Sequence, residues 1–194
     1  MPLGLLPAMV SGSARATSLS LIAACAPPPW FRAAEGVRSA WPVGDGPFDR
    51  TPLPRSSGTP AMRAGRRYEA KALAHLAEVF GSDFRKSQWF RYAGDAGVKF
   101  CQVDGLLHTE TVTAIFEVKV TFSSDAWWQL RKQYEPVVRK AFLPSHLALV
   151  IFCKSFDPAV PFPEPVNHLR RLDRQHIEES SGPDSTISVF SWRP

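Results

Sequence analysis

Cysteine is scarce in this chain of 194 residues: Cys25, Cys101 and Cys153 are the three, and they lie far apart. An odd, scattered set gives no disulfide framework, and without a CxxC pair there is no structural zinc spacing. Cys101 and Cys153 stand inside apolar runs, where a thiol behaves as a small hydrophobe in a reducing compartment. Long hydrophobic runs are also missing; none approaches the roughly 18 residues that a membrane-spanning helix needs. A cytoplasmic protein without a membrane partner is therefore expected. Serine nucleophile elbows, P-loops and Rossmann glycine patterns are absent, which removes the usual signatures of serine hydrolases, nucleotide triphosphatases and dinucleotide enzymes. The five histidines, His75, His108, His146, His168 and His176, form no metal-ligand spacing, and only His108, close after Asp104, draws notice.

Acidic residues do not occur before Glu35, and ten of the 18 prolines fall before Arg63. Alanine, serine and glycine fill much of the rest, and Pro27-Pro28-Pro29 can enter neither a helix nor an inner strand. Residues 1–61 read as a largely disordered arm with short anchored pieces around Trp30, Phe31 and Trp41. Ser18 to Ala26 resembles a short signal-peptide h-region, and Ile22-Ala23-Ala24-Cys25 a lipoprotein cleavage box. A single basic residue, Arg15, precedes that stretch, which argues against export, and the arm is poor in arginine for an organelle transit peptide. A true start at Met62 is a further alternative.

From Met62 onward the chain changes character. Arg63–Phe80 places Tyr68, Ala72, Leu73, Leu76, Ala77 and Phe80 at spacings of three and four, which predicts a helix stopped by Gly81. Gln88–Tyr92 is strand-like, and Gly94-Asp95-Ala96-Gly97 is turn chemistry. Val98–Leu107 alternates, with Phe100, Gln102, Asp104 and Leu106 expected on one face and Cys101, Val103 and Gly105 on the other. Val112–Val120 is a β-branched run in which Glu117 and Lys119 share a face. Ser123 or Ser124 should then cap a helix that opens on Asp125 and continues to about Lys140, with Pro136 kinking it or ending its first half. Leu147–Phe152 reads as a strand buried on both faces. A short basic helix within His168–Ile177 and an edge strand at Ile187–Trp192 complete a predicted α-β-β-β-α-β order: an α/β domain over residues 62–194, with a mixed central sheet flanked by helices.

The strongest chemical signal is Asp104, then twelve residues, then Glu117-Val118-Lys119. A hairpin would bring two carboxylates and an amine to one end of one sheet face. Hard carboxylate oxygens suit Mg²⁺ or Mn²⁺ and leave waters on the metal. Such a metal polarises a phosphoryl oxygen and lowers the pKa of an attacking water, while a lysine orients that water or offsets charge on phosphate.

Helix, hairpin with D…ExK, helix and buried strand is an order that resembles the PD-(D/E)XK nucleases, over roughly residues 63–153. The resemblance implies a restriction-endonuclease-like core and Mg²⁺-dependent (or Mn²⁺-dependent) hydrolysis of DNA. It also implies Asp104 and Glu117 as metal ligands and Lys119 as the group that positions the nucleophile. Gly65 and Glu69, four apart on the first helix, match the resolvase-like branch and add Glu69 as a third metal-binding acid. The family's leading proline is replaced by Val103. RecB-like members carry QxxxY on the helix after the ExK strand; here Gln129 to Tyr134 is one residue too long. Gln129 and Gln133 are therefore read as active-site or DNA contacts, and Tyr134 as core.

A net charge of +5 and a pI near 9.4 are compatible with a polyanion but do not identify one. The basic pairs Arg66-Arg67 and Arg131-Lys132 are read as phosphate contacts, and Arg85-Lys86, Arg139-Lys140 and Arg170-Arg171 add to the basic surface. Trp89, Phe90, Trp127 and Trp128 suit either base stacking or the core. The small size implies a structure-selective or non-specific enzyme, as a monomer or a homodimer, of a kind that phages and mobile elements encode. The alternatives are a nuclease-fold module that binds DNA without cutting it, and an assembly scaffold that uses its proline-rich arm.

Overall fold

The computed structural model describes residues 25–44, 58–182 and 186–194. The Ser18–Ala26 segment and the cleavage-box reading therefore fall almost wholly outside the described residues. Within them the chain is an α/β protein: a seven-stranded mixed sheet in the order β1-β2-β3-β4-β5-β7-β6, with helices on both faces. The strands are β1 (Ser39–Val43), β2 (Phe84–Gly94), β3 (Gly97–His108), β4 (Thr113–Thr121), β5 (Leu147–Ser155), β6 (Asn167–His168) and β7 (Ile187–Ser191). The β1-β2, β2-β3 and β3-β4 pairs are antiparallel, and β4, β5, β7 and β6 are parallel. Among the described residues no helix is long and apolar enough to cross a membrane.

Helix α1 (Pro60–Phe80) begins three residues before the predicted start at Arg63. Thr59 caps it by accepting from the Met62 amide, and Pro60 sits in the first turn, where its missing N–H costs nothing. Its Tyr68, Ala72, Leu73, Leu76 and Phe80 pack on Phe84, Leu107, Phe116, Val150 and Phe152. The opposite face is covered by one continuous helix in three parts: α2 (Asp125–Trp127), a π-helical stretch (Trp128–Tyr134) and α3 (Glu135–Phe142). Ser124 stands at its N-cap position without a side-chain capping bond. Leu130, Tyr134, Val137 and Val138 bury against Leu106, Ile115, Leu149 and Ile151. Helix α4 (Arg174–Glu179), capped by Asp173, is shorter than the predicted His168–Ile177 helix and starts later, and its Ile177 buries on the α1 side.

Residues 25–44 carry the anchored pieces expected around Trp30, Phe31 and Trp41 and join them to the sheet: β1 pairs with β2 through five residues, and Cys25, Phe31 and Ala34 are buried. Two expectations are corrected. β7 is not the sheet edge, since β6 pairs outside it. The simple alternation of β3 also fails, because Val103 and Leu106, one odd and one even, lie in the same apolar cluster. The alternation slips at Asp104-Gly105, opposite Ser87, whose φ is 53°.

Gly105 is required by this crowding. A Cβ there would lie 2.6 Å from the Phe84 ring and 3.2 Å from the Phe116 Cβ, and Phe84 is itself wedged between Phe80 and Phe116. Gly105→Ala is expected to cost about 1–3 kcal/mol, the usual penalty for overpacking, readable as a lower midpoint in urea. A chain begun at Met62 loses β1, Thr59 and Pro60 together, so its melting temperature should fall by several degrees in a calorimetric scan, where a non-contributing arm would leave it unchanged.

Candidate active site

The β3–β4 ladder runs from His108↔Thr113 to Gly105↔Phe116 and stops one step short of Asp104 and Glu117. Where the strands part, the Asp104 carboxylate takes over a backbone role: its Oδ2 accepts from the Val118 N–H at 2.9 Å. Glu117 continues the face of Ile115 into the interior and is only 1% exposed. Two residues further along the same face, Lys119 is one-quarter exposed, and its Nζ lies 2.5 Å from Glu117 Oε1. The second oxygen, Glu117 Oε2, is buried and has no hydrogen-bond donor while the acids beside it are ionised. A buried carboxylate oxygen left so is costly, and the usual reasons are function or a bound group.

Electrostatics couples four residues. Burial, reinforced by Asp104, pushes the Glu117 carboxyl up to about 8 against the pull of Lys119. Burial likewise raises Asp104, offset by the Val118 hydrogen bond, by Lys119 and by hydrogen bonding with Glu117. Glu69, half-buried on α1, is raised by burial and by the Asp104 charge. Burial works to lower Lys119, but Glu117 and its hydrogen bond, with Asp104, hold it above its ordinary value. Three mutually repelling acids around one amine form a site short of positive charge. Among the described residues no three His, Cys, Asp or Glu side chains already stand in a metal-binding arrangement.

The bonded chain extends onto the π-helical stretch. Lys119 Nζ donates to Gln129 Oε1 at 2.6 Å, and Gln129 Nε2 donates to the Tyr134 hydroxyl at 3.2 Å. Tyr134 is buried, and burial with the nearby Glu117 and Asp104 charges raises its hydroxyl well above the usual value. Tyr134 is thus more than a core residue. Its five-residue distance from Gln129 is too long for α-helical spacing, whereas a π-helix closes i→i+5 and sets five-apart residues side by side. Pro136 is the signal in the sequence, because it denies the Lys132 carbonyl its α-helical donor. Gln133 lies half-buried on the same stretch, outside this chain of bonds.

Arg131 is committed to Glu164 at 2.6 Å and Glu135 at 3.1 Å, so a phosphate contact would have to break two ion pairs. Lys132 is exposed, with its amine over the Trp127 ring at 5.3 Å. Arg66 and Arg67 are exposed on α1, in the same helix as Glu69. A Cβ added at Gly65 would stand 3.9 Å from the Val120 side chain of β4, so the position has room for one. His108 bonds Thr113 and packs on Phe142 at the turn end of the hairpin, so it serves the fold. Phe90 and Trp127 are buried core. Searches against protein-family models, curated proteins and solved structures returned no match to this chain.

Proposed function

We propose that this protein is a metal-dependent nuclease with a restriction-endonuclease-like core, hydrolysing DNA phosphodiester bonds at the Glu69–Asp104–Glu117–Lys119 cluster. The observation that carries the reading is the buried Glu117 Oε2, which lacks a hydrogen-bond donor while the acids coupled to it are ionised: this ligand set suits a hard divalent cation, which would relieve their repulsion. Glu117 and Asp104 would hold Mg²⁺ or Mn²⁺, with Glu69 contributing directly or through water. The bound metal would supply Lewis-acid activation of the phosphate and a more acidic water. Freed from Glu117, the Lys119 ammonium orients the attacking water and offsets charge on the phosphate. Gln129, bonded to both Lys119 and Tyr134, fixes the amine's direction. The exposed Arg66, Arg67 and Lys132 would meet backbone phosphates, while Arg131 serves the fold.

Divalent-cation binding tests the metal part of the reading. Calorimetric titration of the chelator-stripped protein should show a Mg²⁺ or Mn²⁺ site, abolished by Glu117→Ala and by Asp104→Ala. Ca²⁺ should bind without supporting cleavage, since it orients phosphate and water less strictly. Unchanged cation binding in both variants would place any metal elsewhere.

A further inference from the structure

Gln129 and Tyr134 meet only because the helix between them is π-wound. In an α-helix, residues five apart stand about 140° from one another around the axis. Here the Glu135 N–H donates five residues back, to the Leu130 carbonyl. This winding is rare and less favourable than the α form, so it persists where the surroundings hold it. Pro136 supplies one part: it cannot donate to the Lys132 carbonyl, and its ring would press on that oxygen in a regular helix. The Lys132 carbonyl is instead taken by the Ala34 N–H, at 2.8 Å. Close by, the Phe31 ring packs 5.4 Å from that of Trp128, and the Trp128 indole N–H donates to the Cys25 carbonyl at 3.1 Å. Cys25, Phe31 and Ala34 are all buried. Residues 25–34 thus grip both ends of the turn that carries Gln129.

We propose that residues 25–34 are a positioning strap for the active site: by bonding Lys132 and packing on Trp128 they hold the π winding that brings Gln129 onto Lys119. Phe31 and Ala34 are then positioning residues, acting on the amine through the helix without touching substrate. The proposal rests on reading the Lys119 cluster as catalytic, and its test separates the two. Two full-length variants release the strap: Phe31→Ala removes the ring contact, and Ala34→Pro removes the donor to Lys132. A rescue background deletes Gln133 and carries Pro136→Ala. There the Gln129-to-Tyr134 spacing becomes four, and an ordinary α-helix aligns the pair without help.

With the natural spacing, each release variant should lower kcat for Mg²⁺-dependent DNA cleavage by about 10-fold or more with KM nearly unchanged, since misplacement remote from the chemistry costs this much. Hydrogen exchange at the Glu135 amide should accelerate in parallel. In the rescue background the same substitutions should change kcat by less than about 2-fold. Equal kcat losses in both backgrounds would reduce the strap to a general folding element and overturn the proposal. So would an unchanged Glu135 exchange rate in both release variants, a result readable in a protein that cuts nothing. A wild-type chain without cleavage but with strap-dependent Glu135 exchange would overturn the catalytic reading and leave the strap as the device that sets the helix winding.

Discussion

Lys119→Ala is expected to lower Mg²⁺-dependent DNA cleavage by about 100-fold or more, the usual cost of losing one positioned electrostatic group, while metal binding survives. The amine bonds Glu117 and Gln129 and stands one-quarter exposed at the open end of the cluster. Its part is to orient water and offset charge, so its removal leaves the ligand carboxylates in place. Without Lys119 the buried Glu117 loses the cation that holds its carboxyl down, so Glu117 should be protonated over a wider pH range and should release a proton when metal binds. Asp104→Ala and Glu117→Ala should lose cleavage and metal together. A Lys119→Ala variant that cleaves normally would remove the lysine from the chemistry.

The second large effect is on stability. The Glu117 carboxyl lies near 8 in the folded chain and, chiefly through burial, well above its ordinary value. Between the ordinary carboxyl range and about pH 8 the unfolded chain has released this proton and the folded chain still holds it. Stability of the metal-free protein therefore falls as pH rises through that window. The loss across that window amounts to roughly several kcal/mol, since each pH unit of it is worth more than 1 kcal/mol. Glu117→Gln, which cannot ionise, should melt close to wild type near pH 5 and several degrees higher near pH 8, in chelator. Added Mg²⁺ should raise the wild-type melting temperature at pH 8 and leave Glu117→Gln unmoved. A wild-type protein that gains stability from pH 5 to pH 8 would mean that Glu117 is ionised and fully compensated in the fold.

The parts legible in the sequence are those where one local rule acts alone. Helix α1 announces itself because its buried side chains recur at three and four, and β5 because it is apolar on both faces. Glu117 and Lys119 can be grouped because strand alternation gives them one face, and Asp104 joins them because hairpin pairing sets it opposite Glu117. Strand β1 is hidden by Pro42, which in an inner strand would forfeit a ladder bond but is tolerated at the sheet edge where β1 lies. The anchored pieces near Trp30, Phe31 and Trp41 are visible as aromatics, but their partners, Trp128, Lys132 and β2, are remote in sequence. The slip in β3 depends on Ser87 of a neighbouring strand, and the π winding on Ala34 meeting a carbonyl that Pro136 leaves free.

The central claim, that this cluster cuts DNA with a divalent cation, is tested most directly by incubating the purified full-length chain with linear, branched and single-stranded DNA. The reactions would contain Mg²⁺, Mn²⁺ or chelator, with Glu117→Ala alongside. The account predicts cleavage of at least one of these DNAs with Mg²⁺ or Mn²⁺, none in chelator, and a loss of about 100-fold or more in the variant. Wild-type protein that binds these DNAs yet cleaves none of them with either metal, or a Glu117→Ala variant that cuts as fast as wild type, would contradict it.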